Sequence, residues 1–357
     1  MSLGTVLRIL AAFVVSGILA FILTPLAKRI AYKIGAIDVP KDDRRMHKKP
    51  IPRLGGLAVF FAFLVSVVLL VPMEKELQGI LLGSVIIVIL GVIDDSISLP
   101  AMVKFLVQIV AALVVVLHGT EIDVLSNVNV FSEQAYLSLG GWGIPVTVVW
   151  IVAITNAVNL IDGLDGLSVG VCTIASVSLL LIAAIVSEFN VAVIMAALAG
   201  ACIGFLPYNM NPAKMFVGDT GATFLGFILA TMSIQGMFKT YAILSFAVPF
   251  LILGLPIFDT AFAICRRLLN GQSPMHADRG HVHHRLIDMG FSQKQTVLIL
   301  YLVSGIFGVA AVLLTSSGAV RALLFVVAVI LAAIIALRIY LSISKHENEK
   351  KDNDEKS

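Results

Sequence analysis

Long apolar runs without a charged residue restrict this 357-residue chain to few kinds of fold. LLGSVIIVILGVI and LLFVVAVILAAIIAL are two examples, and hydrophobic residues make up 59% of the sequence against 13% charged residues. A helix needs about 20 such residues to cross the hydrocarbon layer, where only helices or closed barrels satisfy every backbone polar group. We therefore expect an all-α integral membrane protein, a polytopic helical bundle surrounded by the lipid bilayer, with no nucleic-acid partner.

Windows of about 20 mostly apolar residues predict about eleven transmembrane helices. They lie near residues 5–27, 54–72, 77–93, 101–118, 142–160, 167–186, 191–207, 220–236, 241–262, 295–314 and 320–340. These spans take up most of the chain, so residues 1–344 are expected to form one polytopic transmembrane domain. The polar tail 345–357, KHENEKKDNDEKS, lacks the apolar residues of a packed core and is expected to be disordered.

The distribution of basic residues predicts the orientation of these spans. On one side of the predicted membrane lie only four of the 25 Lys and Arg residues, namely Arg8, Lys75, Lys239 and Arg321. By the positive-inside rule that side is external, so the N-terminus is outside and, with an odd number of spans, the C-terminus is cytoplasmic. The motifs rich in acidic residues or histidine then all face the cytoplasm. This favours an enzyme over a transporter, whose charges are expected near mid-membrane.

The first motif, GVIDDSISL, places Asp94 and Asp95 at the end of a predicted span. Adjacent carboxylates can raise each other's pKa or share a cation, and a solvated interfacial pair is an equally good interpretation. Lys104 follows in the first turn of the next span. Alone it is best interpreted as an interfacial lysine, but beside two carboxylates a contact with phosphate is at least as well supported.

The second motif, NAVNLIDGLDGL, combines two amides and two carboxylates at a helix end. Asn156 and Asn159 are three residues apart, so both can lie on one helix face. A carboxylate at the bilayer centre costs about 3 kcal/mol, so Asp162 and Asp165 require either water or a function. Asp165 can also cap the next helix, but capping explains only one of these four residues. The motif therefore predicts a ligand-binding site.

The third motif, AKMFVGDTGATFLG, places Asp219 in a glycine-containing turn that leads into another span. A turn that feeds a helix N-terminus suits a phosphate or a metal–phosphate group, because backbone N–H groups point toward it. Phe216 lies three residues earlier. It can stack on a base, although an anchor at the membrane interface is the default interpretation.

The fourth motif, HADRGHVHHRL, contains four of the seven histidines, interleaved with two arginines. Histidine clusters can bind transition metals, but this motif lacks cysteine partners and an HExxH pattern. We therefore interpret Arg279, His281, His283 and His284 as ligands of an anionic phosphate chain. These residues are too close together to share one helix face, so a loop over the ligand is expected.

Together, the motifs predict carboxylates for Mg²⁺ and basic groups for phosphates on one face of the membrane. Magnesium in proteins is commonly held by one or two carboxylates together with substrate phosphates. Phosphoryl transfer depends mainly on positioning and on neutralisation of charge. We therefore expect a transfer between one water-soluble substrate and one lipid-borne substrate.

In this order, the four motifs resemble those of the polyprenyl-phosphate N-acetylhexosamine-1-phosphate transferases, over about residues 25–290. The resemblance implies a multi-span helical enzyme that transfers a sugar 1-phosphate from a UDP-sugar to a polyprenyl phosphate and releases UMP. It also implies Mg²⁺ as the cofactor, with Mn²⁺ as a substitute, and it leaves open whether the enzyme is a homodimer.

The resemblance also implies roles for individual residues. By position, Asp219 matches the acid that ligates Mg²⁺, and Asn159 matches the amide assigned beside it. Phe216 matches the aromatic residue that stacks on uracil, and Asp165 matches the residue that binds the uracil edge. Metal and nucleotide are thus expected side by side.

The remaining motif residues match groups around the phosphates. Lys104 matches a lysine near the phosphates, and Asp94 and Asp95 match a pair that activates the lipid phosphate or assists the metal. The loop that contains His281 matches the stretch that closes over the sugar and the pyrophosphate. The role of each member of the aspartate pair stays open.

Details of the motifs resemble the N-acetylglucosamine branch of this family. SIS follows the aspartate pair and the histidine run reads HVHH, whereas the muramyl-pentapeptide branch has a lysine and three consecutive histidines. The expected enzyme converts UDP-GlcNAc and undecaprenyl phosphate into undecaprenyl-diphospho-GlcNAc and UMP. It would start a cell-envelope polymer such as wall teichoic acid at the cytoplasmic face of the bacterial plasma membrane. UDP-MurNAc-pentapeptide is the alternative donor, and a secondary transporter is the less favoured alternative function.

Overall fold

The computed structural model describes residues 1–40, 49–126, 136–235, 247–272 and 280–316, and the single residues 327, 331, 335 and 338. Its helices are α1 (Leu3–Ile34), α2 (Gly55–Leu70), α3 (Lys75–Ile97), α4 (Ala101–Leu117), α5 (Gly143–Leu160), α6 (Leu167–Ile185), α7 (Phe189–Asn209), α8 (Gly218–Ser233), α9 (Ala247–Ile252), α10 (Gly254–Leu269), α11 (Val282–Asp288) and α12 (Gln293–Ser316). A 3₁₀ turn, Gly140–Trp142, precedes α5.

Six stretches of the described residues are helical, long and apolar enough to cross a membrane: α1, α3, α5 with its 3₁₀ turn, α6, α7 and most of α12. Helices α2 and α4 are shorter but also apolar. The expectation of an all-α polytopic membrane protein is thereby confirmed. The number of eleven spans and the external N-terminus stay predictions, and most of the predicted span 320–340 and the whole tail 345–357 lie outside the described residues.

From residue 247 onward, the predicted span 241–262 consists of two helices and not of one. Helix α9 ends at Ile252, and α10 begins at Gly254. Pro256 has no backbone N–H and cannot donate to the carbonyl four residues earlier, that of Ile252. The break therefore falls where the proline removes a helical hydrogen bond. Residues 241–246 lie outside the described part of the chain.

Two short strand pairs lie in the connections and were not predicted. Strand β1 (Ile37–Asp38) pairs antiparallel with β2 (Ile51–Pro52). Strand β3 (Val124–Ser126) pairs antiparallel with β4 (Tyr136–Ser138). Each strand has only two or three residues, too few for an alternating apolar pattern to be visible in the sequence.

Helix α8 lies in the interior of the bundle. Each of its residues except Asp219 is buried, and it packs against α2, α3, α5 and α6. A Cβ added at Gly56 of α2 would collide with the backbone of Gly221, and one added at Gly91 of α3 would collide with the backbone of Thr220. Small residues let membrane helices approach this closely. As a result, α2 and α3 fix the N-terminal end of α8.

Candidate active site

A cavity of about 740 Å³ opens beside the N-terminus of α8. Six of the residues predicted from the motifs line it: Asn159, Asp162, Asp165, Phe216, Asp219 and His284. The helix ends of α5, α7 and α8 therefore meet at one site, as the one-sided distribution of the motifs predicted. The wall also contains residues that the motifs did not predict, namely Lys28, Tyr32, Asp38, Lys49, Arg53, Asn209, Asn211, Lys214 and Gln293.

Asp95 holds the N-terminus of α8 in place. Its Oδ1 accepts a hydrogen bond from the backbone N–H of Asp219 at 3.0 Å, and its Oδ2 accepts from Thr220 N at 3.0 Å and from Thr220 Oγ1 at 2.7 Å. Its side chain has no exposed surface, and Arg53 Nε lies 3.5 Å from Oδ1. Both carboxylate oxygens are thus engaged with protein groups. Asp95 acts on the cavity through the position of Asp219.

Asp94 and Lys104 form a second anchored pair at the junction of α3 and α4. Asp94 Oδ1 accepts from the backbone N–H of Leu99 at 2.6 Å, and Oδ2 accepts from Lys104 Nζ at 2.8 Å. The same ammonium lies 3.6 Å from Asp219 Oδ2. Lys104 therefore connects a buried carboxylate with the carboxylate that lines the cavity. Its positive charge lies close enough to Asp219 to interact with a phosphate bound beside that carboxylate.

Gly218 is required where α8 begins. Its φ is +71°, a conformation that residues with a Cβ rarely adopt. A Cβ at this position would also collide with the backbone carbonyl of Arg53 and would lie 2.5 Å from Asp95 Oδ2. The glycine of the FVGDTG motif thus lets two chain segments close around the N-terminus of α8.

Asp162 lines the cavity at the turn between α5 and α6. Its Oδ1 accepts a hydrogen bond from Ser168 Oγ at 2.5 Å. Burial raises the pKa of its carboxyl to about 7, although the hydrogen bond from Ser168 acts in the opposite direction. A carboxyl with this pKa carries only part of its charge near neutral pH. Asp162 therefore repels an anionic substrate less than an ordinary aspartate would.

Asp165 fastens the loop after α7 to the cavity. Its Oδ2 accepts hydrogen bonds from Asn211 Nδ2 at 2.9 Å and from Ala213 N at 3.0 Å. Asn211 Nδ2 also donates to Gln293 Oε1 of α12 at 2.6 Å. Helix α6 is capped by Gly166 without a side-chain hydrogen bond, so the expected capping role of Asp165 was wrong. The carboxylate instead ties the turn before α6 to the loop after α7.

The two asparagines of the second motif lie in different surroundings. Asn159 lines the cavity. Asn156 Nδ2 donates to Gln108 Oε1 of α4 at 2.6 Å and to Val152 O at 2.8 Å. The amide of Asn156 is thus occupied by helix contacts and does not line the cavity, in contrast to its assignment to the substrate. The spacing of three residues predicts both amides on one helix face. Helix α4 packs against the amide of Asn156, so Asn159 is the one that reaches the cavity.

Phe216 is positioned by the segment that precedes α2. Its N–H donates to Pro52 O at 2.8 Å, and its carbonyl accepts from Gly55 N at 2.9 Å. Val217 O accepts from Gly56 N at 2.8 Å. The segment also brings Arg53 to the cavity wall. Burial lowers the pKa of Arg53, but Asp95 and other nearby carboxylates more than offset this and raise it above its usual value.

The histidines of the fourth motif have three different environments. His281 Nδ1 lies 2.8 Å from Asp259 Oδ2, and both side chains are buried. His283 is buried against the turn of the second motif, because a Cβ added at Gly163 would collide with its ring. Burial, assisted by the nearby His284, lowers the pKa of His283 to about 3. His283 is therefore neutral near pH 7 in this arrangement and does not line the cavity, whereas His284 does.

Gly280 begins the described part of this motif. Its carbonyl accepts hydrogen bonds from Arg266 Nη1 at 2.9 Å and from Arg285 Nε at 3.1 Å, and both guanidinium groups lie over the Phe262 ring. These contacts fasten the start of α11 to α10. Arg279 lies outside the described residues, so its expected contact with phosphate stays a prediction.

The oxygen ligands of the cavity fit a magnesium ion. Among the described residues there is no group of three or more His, Cys, Asp or Glu side chains that could hold a metal. Asp219 and Asn159 nevertheless line the same cavity, and the Asp219 carboxylate is 26% exposed there. Mg²⁺ accepts one or two carboxylates and completes its shell with water and substrate phosphates. A site with few protein ligands is therefore suited to this ion.

The cavity residues that the motifs did not predict had only a weak signal in the sequence. Lys49 and Arg53 belong to RRMHKKPIPRLGG, which is equally well explained as positive charge next to a span. Asn211 lies just after the end of α7 and Gln293 begins α12, where polar residues are common whether or not they have a function. The glycine pair after Arg53 was the one indication of a close backbone approach at this point.

Comparison with known proteins identifies relatives along nearly the whole chain. The sequence is 40% identical over 345 residues to a "Probable undecaprenyl-phosphate N-acetylglucosaminyl 1-phosphate transferase" of Bacillus subtilis, covering 96% of this chain and 94% of the relative. A "Decaprenyl-phosphate N-acetylglucosaminephosphotransferase" of Mycolicibacterium smegmatis is 33% identical, over 94% of this chain and 89% of the relative. A "Phospho-N-acetylmuramoyl-pentapeptide-transferase" of Halalkalibacterium halodurans is 30% identical, over 86% of this chain and 96% of the relative.

The profile of Glycosyl transferase family 4 matches residues 77–237. This range extends from α3 to just beyond the described end of α8 and contains the first three motifs. The relatives extend the similarity to both sides of it. These matches confirm the resemblance to the polyprenyl-phosphate N-acetylhexosamine-1-phosphate transferases, and the chain belongs to glycosyl transferase family 4.

Proposed function

We propose that the protein transfers N-acetylglucosamine 1-phosphate from UDP-GlcNAc to undecaprenyl phosphate, giving undecaprenyl-diphospho-GlcNAc and UMP. The observation that carries this proposal is the cavity at the N-terminus of α8. An aromatic ring, oxygen ligands and a lysine held between two carboxylates surround it or adjoin it. The two N-acetylglucosamine-type relatives, at 40% and 33% identity, support this sugar over the muramyl-pentapeptide.

The reaction exchanges one phosphoanhydride bond for another. An oxygen of the lipid phosphate attacks the sugar-bearing phosphorus of UDP-GlcNAc, and a new phosphorus–oxygen bond forms. The bond between that phosphorus and the bridging oxygen breaks, and the electron pair leaves with UMP. No external energy source is needed, because one phosphoanhydride bond is lost and one is gained.

The lysine and the aspartate pair act by positioning. A phosphate with a pKa near neutral needs little help from a base, so neither Asp94 nor Asp95 has to accept a proton. Asp94 instead orients Lys104, whose ammonium offsets the negative charge of the phosphates. Asp95 fixes the backbone of Asp219 and Thr220. Each carboxylate thus has a separate positioning role.

Asp219 and Asn159 would hold Mg²⁺. When bound, the ion supplies charge neutralisation for the diphosphate of the nucleotide sugar. Phe216 would stack on uracil. Asp165 would contact the uracil edge through Oδ1, because its hydrogen bonds to the loop among the described residues are made by Oδ2. His284, which lines the cavity, would contact the sugar or the diphosphate.

The proposed reaction can be measured directly as release of UMP. Purified protein in detergent with Mg²⁺ should release UMP from UDP-GlcNAc only when undecaprenyl phosphate is present. UDP-MurNAc-pentapeptide in place of UDP-GlcNAc should give little or no UMP. Faster turnover with the pentapeptide donor would assign the protein to the other branch, and no lipid-dependent UMP with either donor would contradict the proposal.

Replacing Phe216 by alanine should weaken nucleotide binding. Stacking of a base on an aromatic ring contributes about 1–3 kcal/mol, so the dissociation constant for UDP-GlcNAc should rise accordingly, with a smaller change in maximal rate. Titration calorimetry with Phe216→Ala and Phe216→Tyr tests this, since tyrosine keeps a ring. Phe61, an exposed residue of α2 outside the cavity wall, provides a matched Phe→Ala control. Equal affinities in Phe216→Ala and wild type would make Phe216 an interface anchor.

The proposed cytoplasmic orientation of the cavity can be tested by cysteine labelling. Cys265 is exposed and should first be replaced by serine, whereas Cys172 and Cys202 are buried. In that background, Asn127→Cys should react with a membrane-impermeant maleimide in intact cells, and Gln272→Cys should react only after permeabilisation. The opposite labelling pattern would place the cavity on the external face, away from cytoplasmic nucleotide sugars.

A further inference from the structure

The guanidinium group of Arg53 belongs to the cavity wall and has no part in the roles described so far. Its side chain is 30% exposed, and its Nε lies 3.5 Å from Asp95 Oδ1. Among the residues that the structure describes, its two terminal nitrogens have no hydrogen-bond partner. Arginine carries five N–H donors in a rigid planar group. A guanidinium that faces a carboxylate through Nε therefore keeps its terminal donors for a ligand.

The backbone fixes Arg53 beside the aromatic ring of the cavity. Pro52 O accepts a hydrogen bond from Phe216 N at 2.8 Å, and Gly55 N donates to Phe216 O at 2.9 Å. Arg53 therefore lies between two residues whose backbone is hydrogen-bonded to Phe216. Asp95, which faces the guanidinium, also accepts from Asp219 N at 3.0 Å. Arg53, Phe216 and Asp219 are thus held in one framework around the N-terminus of α8.

The cavity wall carries both carboxylates and basic groups, so the position of each cation matters for an anionic ligand. Asp165 and Asp219 line the cavity, and so do Lys28, Lys49, Lys214 and Arg53. Of these basic groups, Arg53 is the one whose segment pairs with the backbone of Phe216 and whose side chain faces Asp95. Arg53, Phe216 and Asp219 line the same cavity, so a nucleotide whose base stacks on Phe216 and whose phosphates reach Asp219 would lie close to Arg53. Guanidinium groups bind phosphate oxygens in pairs through parallel hydrogen bonds, which an ammonium cannot do.

We propose that Arg53 binds a phosphate group of a substrate through its terminal nitrogens, while Asp95 fixes its orientation. This inference rests on the proposed function, because the phosphate belongs either to the nucleotide sugar or to the lipid. It makes Arg53 a substrate-binding residue outside the range that the family profile matches. Asp95 then positions two groups of the cavity, the Arg53 side chain and the Asp219 backbone.

The test compares Arg53→Gln and Arg53→Lys with wild type in the purified full-length protein with Mg²⁺. Loss of a charge-assisted phosphate contact in Arg53→Gln should weaken UDP-GlcNAc binding about ten-fold to a hundred-fold. Competition by uridine, which has no phosphate, should be unchanged. Arg53→Lys should recover little of the affinity, because lysine keeps the charge but not the paired donors. A change confined to the KM for undecaprenyl phosphate would assign the guanidinium to the lipid phosphate.

Arg29 provides the matched control. It is an exposed residue of α1 that does not line the cavity, and Arg29→Gln should leave both affinities unchanged. Thermal unfolding separates substrate binding from support of Asp95. If Arg53→Gln lowered the melting temperature and weakened the binding of uridine as much as that of UDP-GlcNAc, a purely structural role would replace the proposal.

Two further outcomes distinguish this inference from the proposed function. The wild type could be active while Arg53→Gln shows the same affinity for UDP-GlcNAc and the same KM for undecaprenyl phosphate. That result would overturn the role of Arg53 and leave the proposed function intact. A wild type that neither binds UDP-GlcNAc nor releases UMP would overturn both proposals.

Discussion

Asp219→Asn should reduce lipid-dependent UMP release by about 100-fold or more, the size of effect seen when one preorganised electrostatic group is removed. The side chain loses its charge and one of its strong oxygen ligands but keeps its shape. Its structural hydrogen bond to Asp95 is made by the backbone N–H, which the asparagine variant retains. Membrane expression and the melting temperature should therefore stay near wild type.

Asp288 offers a matched control for this substitution. It lies at the end of α11, is exposed and does not line the cavity, so Asp288→Asn should leave UMP release unchanged. The rate of Asp219→Asn should also be measured over a range of Mg²⁺ concentrations, because a weakened metal site recovers activity at high Mg²⁺. Near-normal turnover of Asp219→Asn at ordinary Mg²⁺ would remove this residue from the metal site.

Asp95→Asn should reduce both stability and turnover, in contrast to Asp219→Asn. The carboxylate of Asp95 is fully buried and accepts three hydrogen bonds from Asp219 and Thr220 while facing Arg53. Breaking a fully buried ion pair costs about 3–5 kcal/mol, and the loss here should be smaller because the Arg53 side chain is 30% exposed. Displacement of the N-terminus of α8 by about 1 Å would in addition lower the rate by about 100-fold. Thermal unfolding and UMP release measure the two effects separately.

A graded variant sharpens this test. Thr220→Val removes only the hydroxyl contact with Asp95, so it should cost about 1 kcal/mol and affect turnover less. If stability and rate fall together across Thr220→Val and Asp95→Asn, Asp95 acts by positioning. An Asp95→Asn protein with wild-type stability and no turnover would instead place its carboxylate in the chemical step.

The part of the site that could be predicted consists of polar residues at helix ends on one face of the membrane. Asp162, Asp165 and Asp219 are costly in an apolar chain, so a function was the simplest explanation for each, and all three line one cavity. The fold class could be predicted from the long apolar runs, because the lipid layer excludes charged side chains. The local sequence is sufficient to predict such residues, because a carboxylate in an apolar chain must be surrounded by water or polar groups and not by lipid.

The residues that could not be predicted depend on contacts between distant segments. Asn156 has the correct spacing for the site, but Gln108 of a neighbouring helix occupies its amide. Arg53 is indistinguishable from an ordinary flanking cation until its segment pairs with the backbone of Phe216. His283 belongs to a conspicuous motif but packs in the interior. Burial of this kind is decided by tertiary packing and leaves no local pattern.

The burial of α8 has a consequence for how the substrates reach the site. Asp219 is the one residue of this described helix that is not buried, and it lies at the N-terminal end, where the cavity opens. A water-soluble nucleotide and a lipid phosphate would therefore both have to enter the cavity to meet beside Asp219. A long isoprenoid chain then keeps its tail in the bilayer while its phosphate meets the donor.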